Sequence, residues 1–134
     1  MERHDFYGSV QHEASLASQT DAEVATQAVL SALGERLDET RSQRLDGMLP
    51  REIGDHLTDG ASDRRFDYAE FCSRIDERSE HADIDDPEPV ARAVVGTLLE
   101  HVDDDESEAL RERLAELEFE DAIPESGPGA KRSN

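Results

Sequence analysis

An internal repeat of 65 residues is the feature that most restricts how this chain can fold. When the sequence is shifted by 65 positions, residues 6–49 align with residues 71–114 without a gap. The matched positions are mostly apolar, and they include Phe6 with Phe71, Val10 with Ile75, Leu33 with Leu98 and Leu45 with Leu110. Because self-similarity at a fixed period is the signature of repeated structural units, the chain is predicted to contain two copies of one unit.

Apolar side chains within each copy recur every three or four residues, which is the spacing of an amphipathic helix. In the first copy Phe6, Val10 and Ala14 mark one helix. Thr20 and Glu23 have the spacing of a capping box that begins the next helix. That second helix carries a wide apolar band and is expected at the centre of the fold. Sustained alternation of β-branched residues, which would indicate a strand, does not occur.

Prolines mark further helix starts. Pro50 suits the first turn of a fourth helix, because its missing amide hydrogen would have no intrahelical partner there. Asp86 and Pro87 open the second helix of the second copy in the same way. The second copy has Ala115 where the first has Pro50, so its last short helix is expected to continue the preceding one.

The predicted fold is all-α: a tandem duplication of a helical unit of roughly 55–65 residues, packed as one compact bundle of about eight helices. Repeat 1 spans residues 5–57, a polar linker residues 58–65 and repeat 2 residues 66–123, and residues 1–124 form a single domain. Units of that size are individually marginal, because they bury only roughly 60% of their surface. The copies should therefore pack on each other, with a pseudo-two-fold or stacked arrangement. Residues 125–134 are expected to form a disordered tail.

The net charge of the chain argues against two classes of binding partner. The chain has 34 Asp and Glu against 14 Lys and Arg, a formal net charge of −20. Repulsion from phosphate groups argues against nucleic acid and anionic membranes as partners. Such a charge with little hydrophobicity normally favours disorder, unless concentrated salt screens the carboxylates, as the Debye length of about 3 Å at ~1 M allows.

This acidic composition is typical of a protein from an extreme halophile, with hydrated K⁺ and Na⁺ at its surface. The alternative is an acidic mesophilic chain that is partly disordered. No run of about 18 apolar residues occurs, and residues 1–10 carry charges instead of an apolar signal segment. The single cysteine, Cys72, excludes an internal disulfide and a CxxC pair. We therefore expect a soluble, cytoplasmic protein.

One family resemblance covers nearly the whole chain, from about Phe6 to Ile123. Its motifs are the helix from Ala25 to Leu37, an acidic turn, the segment Leu45 to Pro50, and in the second copy a Phe-Cys-x-x-Ile helix followed by Ala-Val-Val-Gly-Thr-Leu-Leu. In this layout the chain resembles the family called domain of unknown function 2267. The resemblance implies an all-helical fold, and it supplies no biochemical activity.

The clearest candidate for a metal site is a degenerate calcium-binding loop. Asp59, Asp63, Asp67 and Glu70 occupy positions one, five, nine and twelve of an EF-hand loop. Arg64 replaces the central glycine, however, and brings a positive charge beside the cation. The alternative interpretation is an inter-repeat linker in which Asp67 caps the fifth helix. No metal ligand is therefore assigned, and these four residues remain the weak candidates.

Other side chains that could carry chemistry form no catalytic arrangement. The five histidines lack His-Glu-x-x-His spacing and are expected to be solvated or to cap helices: His4, His12, His56, His81 and His101. Cys72 lies on the apolar side of its helix and is expected to act as a small buried hydrophobe. Because no nucleophile with a base and no glycine-rich phosphate loop occurs, no catalytic residue, cofactor-binding residue or cofactor is assigned. The chain is interpreted as non-enzymatic.

The surface leaves several functions open. Residues 101–108 form an acidic run, and Arg64 and Arg65 are the only adjacent basic pair before the tail. One interpretation of this run is structural, because acidic side chains are favoured at a helix N-terminus. The other is that the run docks a basic protein partner. The leading hypothesis is a module that acts through contacts with a protein partner or by self-association. The alternatives are a small-molecule or metal-binding protein, or an enzyme, with a pocket between the repeats, and nucleic-acid mimicry by the acidic face.

Overall fold

Seven α-helices and one 3₁₀ turn make up the computed structural model, which describes residues 3–79 and 86–123. The α-helices are α1 (Arg3–Glu13), α2 (Gln19–Arg36), α3 (Glu39–Asp46), α4 (Arg51–Thr58), α5 (Tyr68–Arg78), α6 (Pro87–His101) and α7 (Asp104–Glu116), and the 3₁₀ turn is Glu120–Ala122. No strand occurs in these two ranges, so the all-α prediction is confirmed. The predicted tail, residues 125–134, and His81 lie outside the described residues.

Helix α2 begins two residues earlier than the capping-box prediction places it. The N-cap is Ser18, whose extended backbone lets its Oγ accept a hydrogen bond from the Asp21 amide at 3.2 Å. Thr20 already lies inside the first turn, so it cannot adopt the non-helical conformation that an N-cap requires. The Thr20 prediction is therefore wrong. The start of α6 is as predicted, because the Asp86 side chain accepts from the Glu88 amide at 3.1 Å.

Two aspartates cap the third helices of the two predicted copies with the same geometry. Asp38 Oδ1 accepts from the Arg41 amide at 2.8 Å at the start of α3, and Asp103 Oδ1 accepts from the Glu106 amide at 2.8 Å at the start of α7. Helix α3 stops before Pro50, whereas α7 continues through Ala115 to Glu116. Proline explains the difference, because it lacks an amide hydrogen and disfavours helical backbone in the preceding residue. The prediction that the last short helix continues α7 is wrong, because Glu118 adopts the left-handed backbone conformation with φ of 62° and a separate 3₁₀ turn, Glu120–Ala122, follows.

Helices α2 and α6 contact each other at the centre of the bundle. Helix α1 packs on both of them, and α5 does the same. Each outer helix thus contacts the central helix of the other predicted copy, as a two-fold arrangement would require, and the duplication itself stays a prediction. One continuous core results, whose largest fully buried side chains are Phe6, Phe71, Phe119, Leu30, Leu33, Leu37, Leu45, Ile53, Leu57, Ile75, Leu98 and Leu110.

Close packing of α4 depends on two glycines. A Cβ atom on Gly34 in α2 would overlap the backbone carbonyl of Leu57, and one on Gly54 in α4 would overlap Asp46 at the end of α3. Backbone atoms cannot move aside as a flexible side chain can, so both positions require glycine. None of the helices in the described ranges is long and apolar enough to cross a membrane.

Candidate functional site

The most organised group of polar contacts lies where the predicted linker meets α2 and α5. The amide of Asp63 donates to the carbonyl of Leu37 at 2.9 Å, and the amide of Arg64 donates to the carbonyl of Glu35 at 2.8 Å. The last carbonyls of a helix have no intrahelical partner, so these bonds complete the end of α2. Asp63 adopts the left-handed backbone conformation, with φ of 54°. The linker is therefore fixed to the bundle by its backbone.

Glu35 connects α2 to α5. Its carboxylate is 15% exposed and accepts from Arg74 Nη1 at 3.1 Å and from Arg78 Nη2 at 2.8 Å. Arg74 also donates through Nε to Glu70 at 2.9 Å. Burial alone would lower the pKa of Arg74, but the hydrogen bonds and charges of Glu70 and Glu35 raise it overall. This network uses charge-assisted hydrogen bonds to hold the first helix of the predicted second copy against the first copy.

Arg36, the last residue of α2, has a different electrostatic environment. Its Nε donates to the carbonyl of Phe66 at 3.1 Å, and the Phe66 ring lies under the guanidinium of Arg74, 4.2 Å from its Cζ. Burial lowers the pKa of Arg36, and the charges of Arg113 and Arg65 lower it further, against an opposing effect of Asp63. We call Arg36, Arg65 and Arg113 the arginine cluster.

The arginine cluster is accessible and poorly neutralised. Arg65 is exposed, while Arg36 and Arg113 are half-buried. The Nη1 of Arg113 lies 3.5 Å from Oε1 of the exposed Glu116, which is a long contact. No carboxylate within the described ranges lies at ion-pair distance from Arg36 or Arg65. Arg36 thus experiences the positive charges of Arg113 and Arg65 on a chain whose net charge is −20.

Two members of the acidic run 101–108 have structural roles. Asp103 caps α7, and Glu106, whose side chain is 8% exposed, accepts from Arg41 Nη1 of α3 at 2.8 Å. Asp104, Asp105 and Glu108 are exposed. The carboxylates of the run therefore divide between helix capping, a buried ion pair and the solvent-facing side of α7.

The structure does not bring the calcium-loop candidates together as ligands. Asp59 is the C-cap of α4, and Asp67 is the N-cap of α5, where its Oδ1 accepts from the Glu70 amide at 2.9 Å. Glu70 pairs with Arg74, and Asp63 lies in the turn bonded to Leu37. Within residues 3–79 and 86–123 no group of three or more His, Cys, Asp or Glu side chains could hold a metal ion.

The described histidines form no metal-binding group with one another or with nearby carboxylates. The ring of His101 packs on Phe6 with 5.7 Å between centroids, and its Nδ1 lies 2.7 Å from the Thr97 carbonyl. His4 neighbours Asp5 at 3.6 Å, whereas His56 occupies the last turn of α4. These positions are those of surface and helix-end residues.

Cys72 and Tyr68 form a half-buried pair on α5. Burial raises the pKa of the Cys72 thiol, which disfavours the reactive thiolate. Burial likewise raises the pKa of Tyr68, and the adjacent thiol raises it further. The Tyr68 hydroxyl is buried and has no hydrogen-bond partner of ordinary geometry among the described residues. The Cys72 thiol interacts with it, but a thiol is only a weak partner. Its ring packs edge-on against Phe119 with 5.5 Å between centroids.

Three surface depressions in the described ranges are large enough to hold a small ligand. One of about 260 Å³ lies between α3, α4 and the linker, and buried Ser42 with Thr58 and Ser62 contributes to its polar lining. A second, of about 230 Å³, lies between Glu13 of α1 and the start of α6, so that both predicted copies line it. The third, of about 470 Å³, is an open surface at the end of α1 around His12.

Sequence reasoning identified Arg65 only as part of a basic pair, and it missed Arg36 and Arg113. Positions 36, 65 and 113 are distant in the chain, and no spacing rule connects them. The Arg41–Glu106 pair was missed too, although a signal was present: these residues align at the 65-residue offset with opposite charges.

Comparison with known proteins gives one match. Residues 3–118 match the sequence model of a family described as "Uncharacterized conserved protein (DUF2267)". No curated protein matches the chain.

Proposed function

The chain belongs to the DUF2267 family of uncharacterized conserved proteins, and from that premise we propose that it is a non-enzymatic helical module that binds another protein through the arginine cluster. The observation that carries this proposal is Arg36, whose Nε is held by the Phe66 carbonyl at 3.1 Å next to exposed Arg65, with no carboxylate of the described residues at ion-pair distance from either guanidinium. Burial and the charges of Arg113 and Arg65 lower the pKa of Arg36, which supports it. Elsewhere on the same chain, Arg74 and Arg78 are neutralised by Glu35 and Glu70. Arginine is enriched at protein interfaces, where it often contributes much of the binding energy.

Pre-organisation supports the same role. Arg36 is held by the Phe66 carbonyl, and Phe66 is held in turn by the guanidinium of Arg74. The linker next to them is bonded to the end of α2. A partner that binds this surface would therefore order few additional side chains, and less of its binding free energy would be lost as conformational entropy.

We further propose that the protein works in the cytoplasm of a cell that keeps its interior rich in salt. The net charge of −20 would repel another acidic protein in dilute buffer. Above ~1 M salt the Debye length falls to about 3 Å, so only groups in direct contact interact strongly. Hydrated K⁺ and Na⁺ at the exposed carboxylates would accompany this state.

Affinity capture in molar potassium chloride tests the proposed function. Lysate proteins retained by the wild-type chain should be lost with R65Q/R113Q and kept with R44Q/R51Q, which removes two charges at exposed positions of α3 and α4. Sedimentation of the purified chain in the same salt would detect self-association instead. Equal retention by R65Q/R113Q and wild type would contradict binding through the arginine cluster.

A small polar ligand is the second candidate function, and the depression beside Ser42 favours it. Ser42 is 2% exposed, and its hydroxyl makes only a long hydrogen bond of 3.5 Å to the Gly34 carbonyl. Thr58 and Ser62 line the same space of about 260 Å³. Native mass spectrometry of the protein purified at high salt would detect such a ligand, and S42V should abolish its retention.

A further inference from the structure

The depression between α3, α4 and the linker contains a buried hydroxyl that lacks a good partner. Ser42 is 2% exposed and lines this space of about 260 Å³. Its Oγ lies 3.5 Å from the Gly34 carbonyl, whereas an ordinary O–H···O hydrogen bond measures about 2.7–2.8 Å. A buried polar group that is poorly bonded costs free energy, so this hydroxyl is available to a molecule in the depression.

Two more hydroxyl groups line the same space and are weakly bonded. Thr58 Oγ1 makes only long hydrogen bonds, to Asp46 Oδ2 at 3.3 Å and to the Asp55 carbonyl at 3.4 Å. Ser62 is half-buried, and no residue of the described ranges bonds its hydroxyl. The lining of the depression therefore offers several oxygen atoms that can accept hydrogen bonds.

The charges around the depression favour a cation. Glu39 is the one charged side chain among the described residues that line it. Helices α2 and α4 end beside it, at Arg36 and Thr58, and the C-terminal end of a helix carries a partial negative charge. The Arg36 side chain donates to the Phe66 carbonyl at 3.1 Å and is not part of the lining, so it does not neutralise these charges directly.

An anion is disfavoured, although the first turn of α3 also borders the depression. Two amides of that turn already have partners, because the Arg41 amide donates to Asp38 Oδ1 at 2.8 Å and the Ser42 amide donates to the Asp38 carbonyl at 3.1 Å. An anion would find neither donor free, and the Glu39 carboxylate would repel it.

We infer that the depression binds a small primary ammonium compound, whose charged group donates hydrogen bonds to Ser42 and Glu39. An ammonium group has three donors and no acceptor, which matches a lining of oxygen acceptors. Leu57 and Ala61 supply an apolar wall for a short aliphatic chain. A space of about 260 Å³ lies below the roughly 300–1,000 Å³ of common ligand pockets, so it suits a ligand of few heavy atoms. The inference names the ligand class of the second candidate function, on which it rests.

Three probes with the same propyl chain test the head group: propylammonium, propanol and propionate. Each is titrated into the full chain in molar sodium chloride at constant ionic strength, and NMR follows the backbone amides of Ser42, Leu57 and Ser62. We expect saturable shifts with propylammonium and none with the other two probes.

Variants then test the two contacts. S42A should weaken propylammonium binding about tenfold, because it removes a hydrogen bond to a charged group. E39Q, at an exposed position that tolerates substitution, should weaken it about two- to fivefold. E23Q removes the same charge from the exposed surface near the start of α2, far from the depression, and should bind as wild type does. E39Q keeps the test decisive if S42A does not fold.

The outcomes separate this inference from the function on which it rests. Propanol or propionate binding as tightly as propylammonium would overturn the ammonium assignment and leave a small polar ligand supported. Unchanged propylammonium affinity in E39Q would also overturn the assignment. No saturable shift with any of the three probes would overturn both the assignment and the small-ligand function. Protein binding through the arginine cluster is independent of all these results, because neither variant alters that surface.

Discussion

Arg41 and Glu106 are separated by 65 residues and form an ion pair of 2.8 Å between the first turns of α3 and α7. This separation equals the offset that aligns the two predicted copies, so the pair joins positions that the predicted duplication makes equivalent. Equivalent positions can meet only near the axis that relates two copies, just as symmetric residues meet at the axis of a dimer. The matching caps Asp38 and Asp103 lie three residues before them.

The ion pair gives the first prediction. E106Q should lower the free energy of unfolding by about 1–3 kcal/mol, because it leaves a partly buried guanidinium without its charge partner. The Nε of Arg41 is already buried without a hydrogen-bond partner among the described residues, so this guanidinium depends on Glu106 for its ion pair. Urea unfolding at fixed potassium chloride measures the change, and E108Q, on the exposed side of α7, is the control.

A charge swap tests whether the two positions are equivalent. In R41E/E106R each side chain takes the place of the other, so most of the stability lost in R41E or E106R alone should return. A double-mutant cycle would then show a favourable coupling energy. A swapped protein no more stable than its less stable single variant would count against a symmetric environment.

The contact between α2 and α4 gives the second prediction. G34A should destabilise the protein by about 1–3 kcal/mol, as overpacked core positions do, because the new Cβ overlaps the Leu57 carbonyl. G8A is a matched control in α1, where a Cβ meets no atom within 4 Å. It should stabilise the helix by about 0.5–1 kcal/mol. Thermal unfolding of both variants in the same salt distinguishes these opposite effects, and equal midpoints would contradict the packing argument.

Features carried by neighbouring residues could be predicted from the sequence. Helical spacing indicated every α-helix, and Asp67 and Asp86 cap their helices as expected, because a cap depends on residues two or three positions apart. Ser18 was missed because two cap candidates, two positions apart, fit the same apolar pattern, and only the backbone conformation selects one of them.

Contacts between distant segments could not be predicted in the same way. Glu35 meets Arg74 and Arg78 only after α5 has packed on α2. Helical periodicity gives the face on which a side chain lies, but it does not give the angle or the register between two helices. The arginine cluster depends on three segments at once, so its charges come together only in the folded chain.

Salt dependence gives the third prediction. Helix content should fall as potassium chloride is diluted, because repulsion among the carboxylates is then unscreened. Far-UV circular dichroism along a salt series gives the midpoint. D104N/E108Q removes two exposed negative charges one turn apart on α7 and should fold at lower salt. R44Q/R51Q, which makes the chain more negative, should need higher salt, and a common midpoint would exclude net charge as the cause.

The buried hydroxyl of Tyr68 gives the fourth prediction. At neutral pH, Y68F should raise the free energy of unfolding by about 1 kcal/mol, since it removes a polar group that is buried without a hydrogen bond. Y7F is the control: Tyr7 has interactions, including a long contact of 3.5 Å between its hydroxyl and Glu52, so its variant should gain nothing.

The dependence of the free energy of unfolding on alkaline pH tests the contribution of Tyr68 specifically. The pKa of Tyr68 is raised in the folded state, so the folded protein keeps this proton above pH ~10 while the unfolded chain releases it. The unfolded state then binds fewer protons, and the free energy of unfolding must fall as pH rises through that range. Urea unfolding at a series of alkaline pH values should show a smaller loss for Y68F than for wild type. Parallel curves for the two proteins would show that Tyr68 ionises equally in both states.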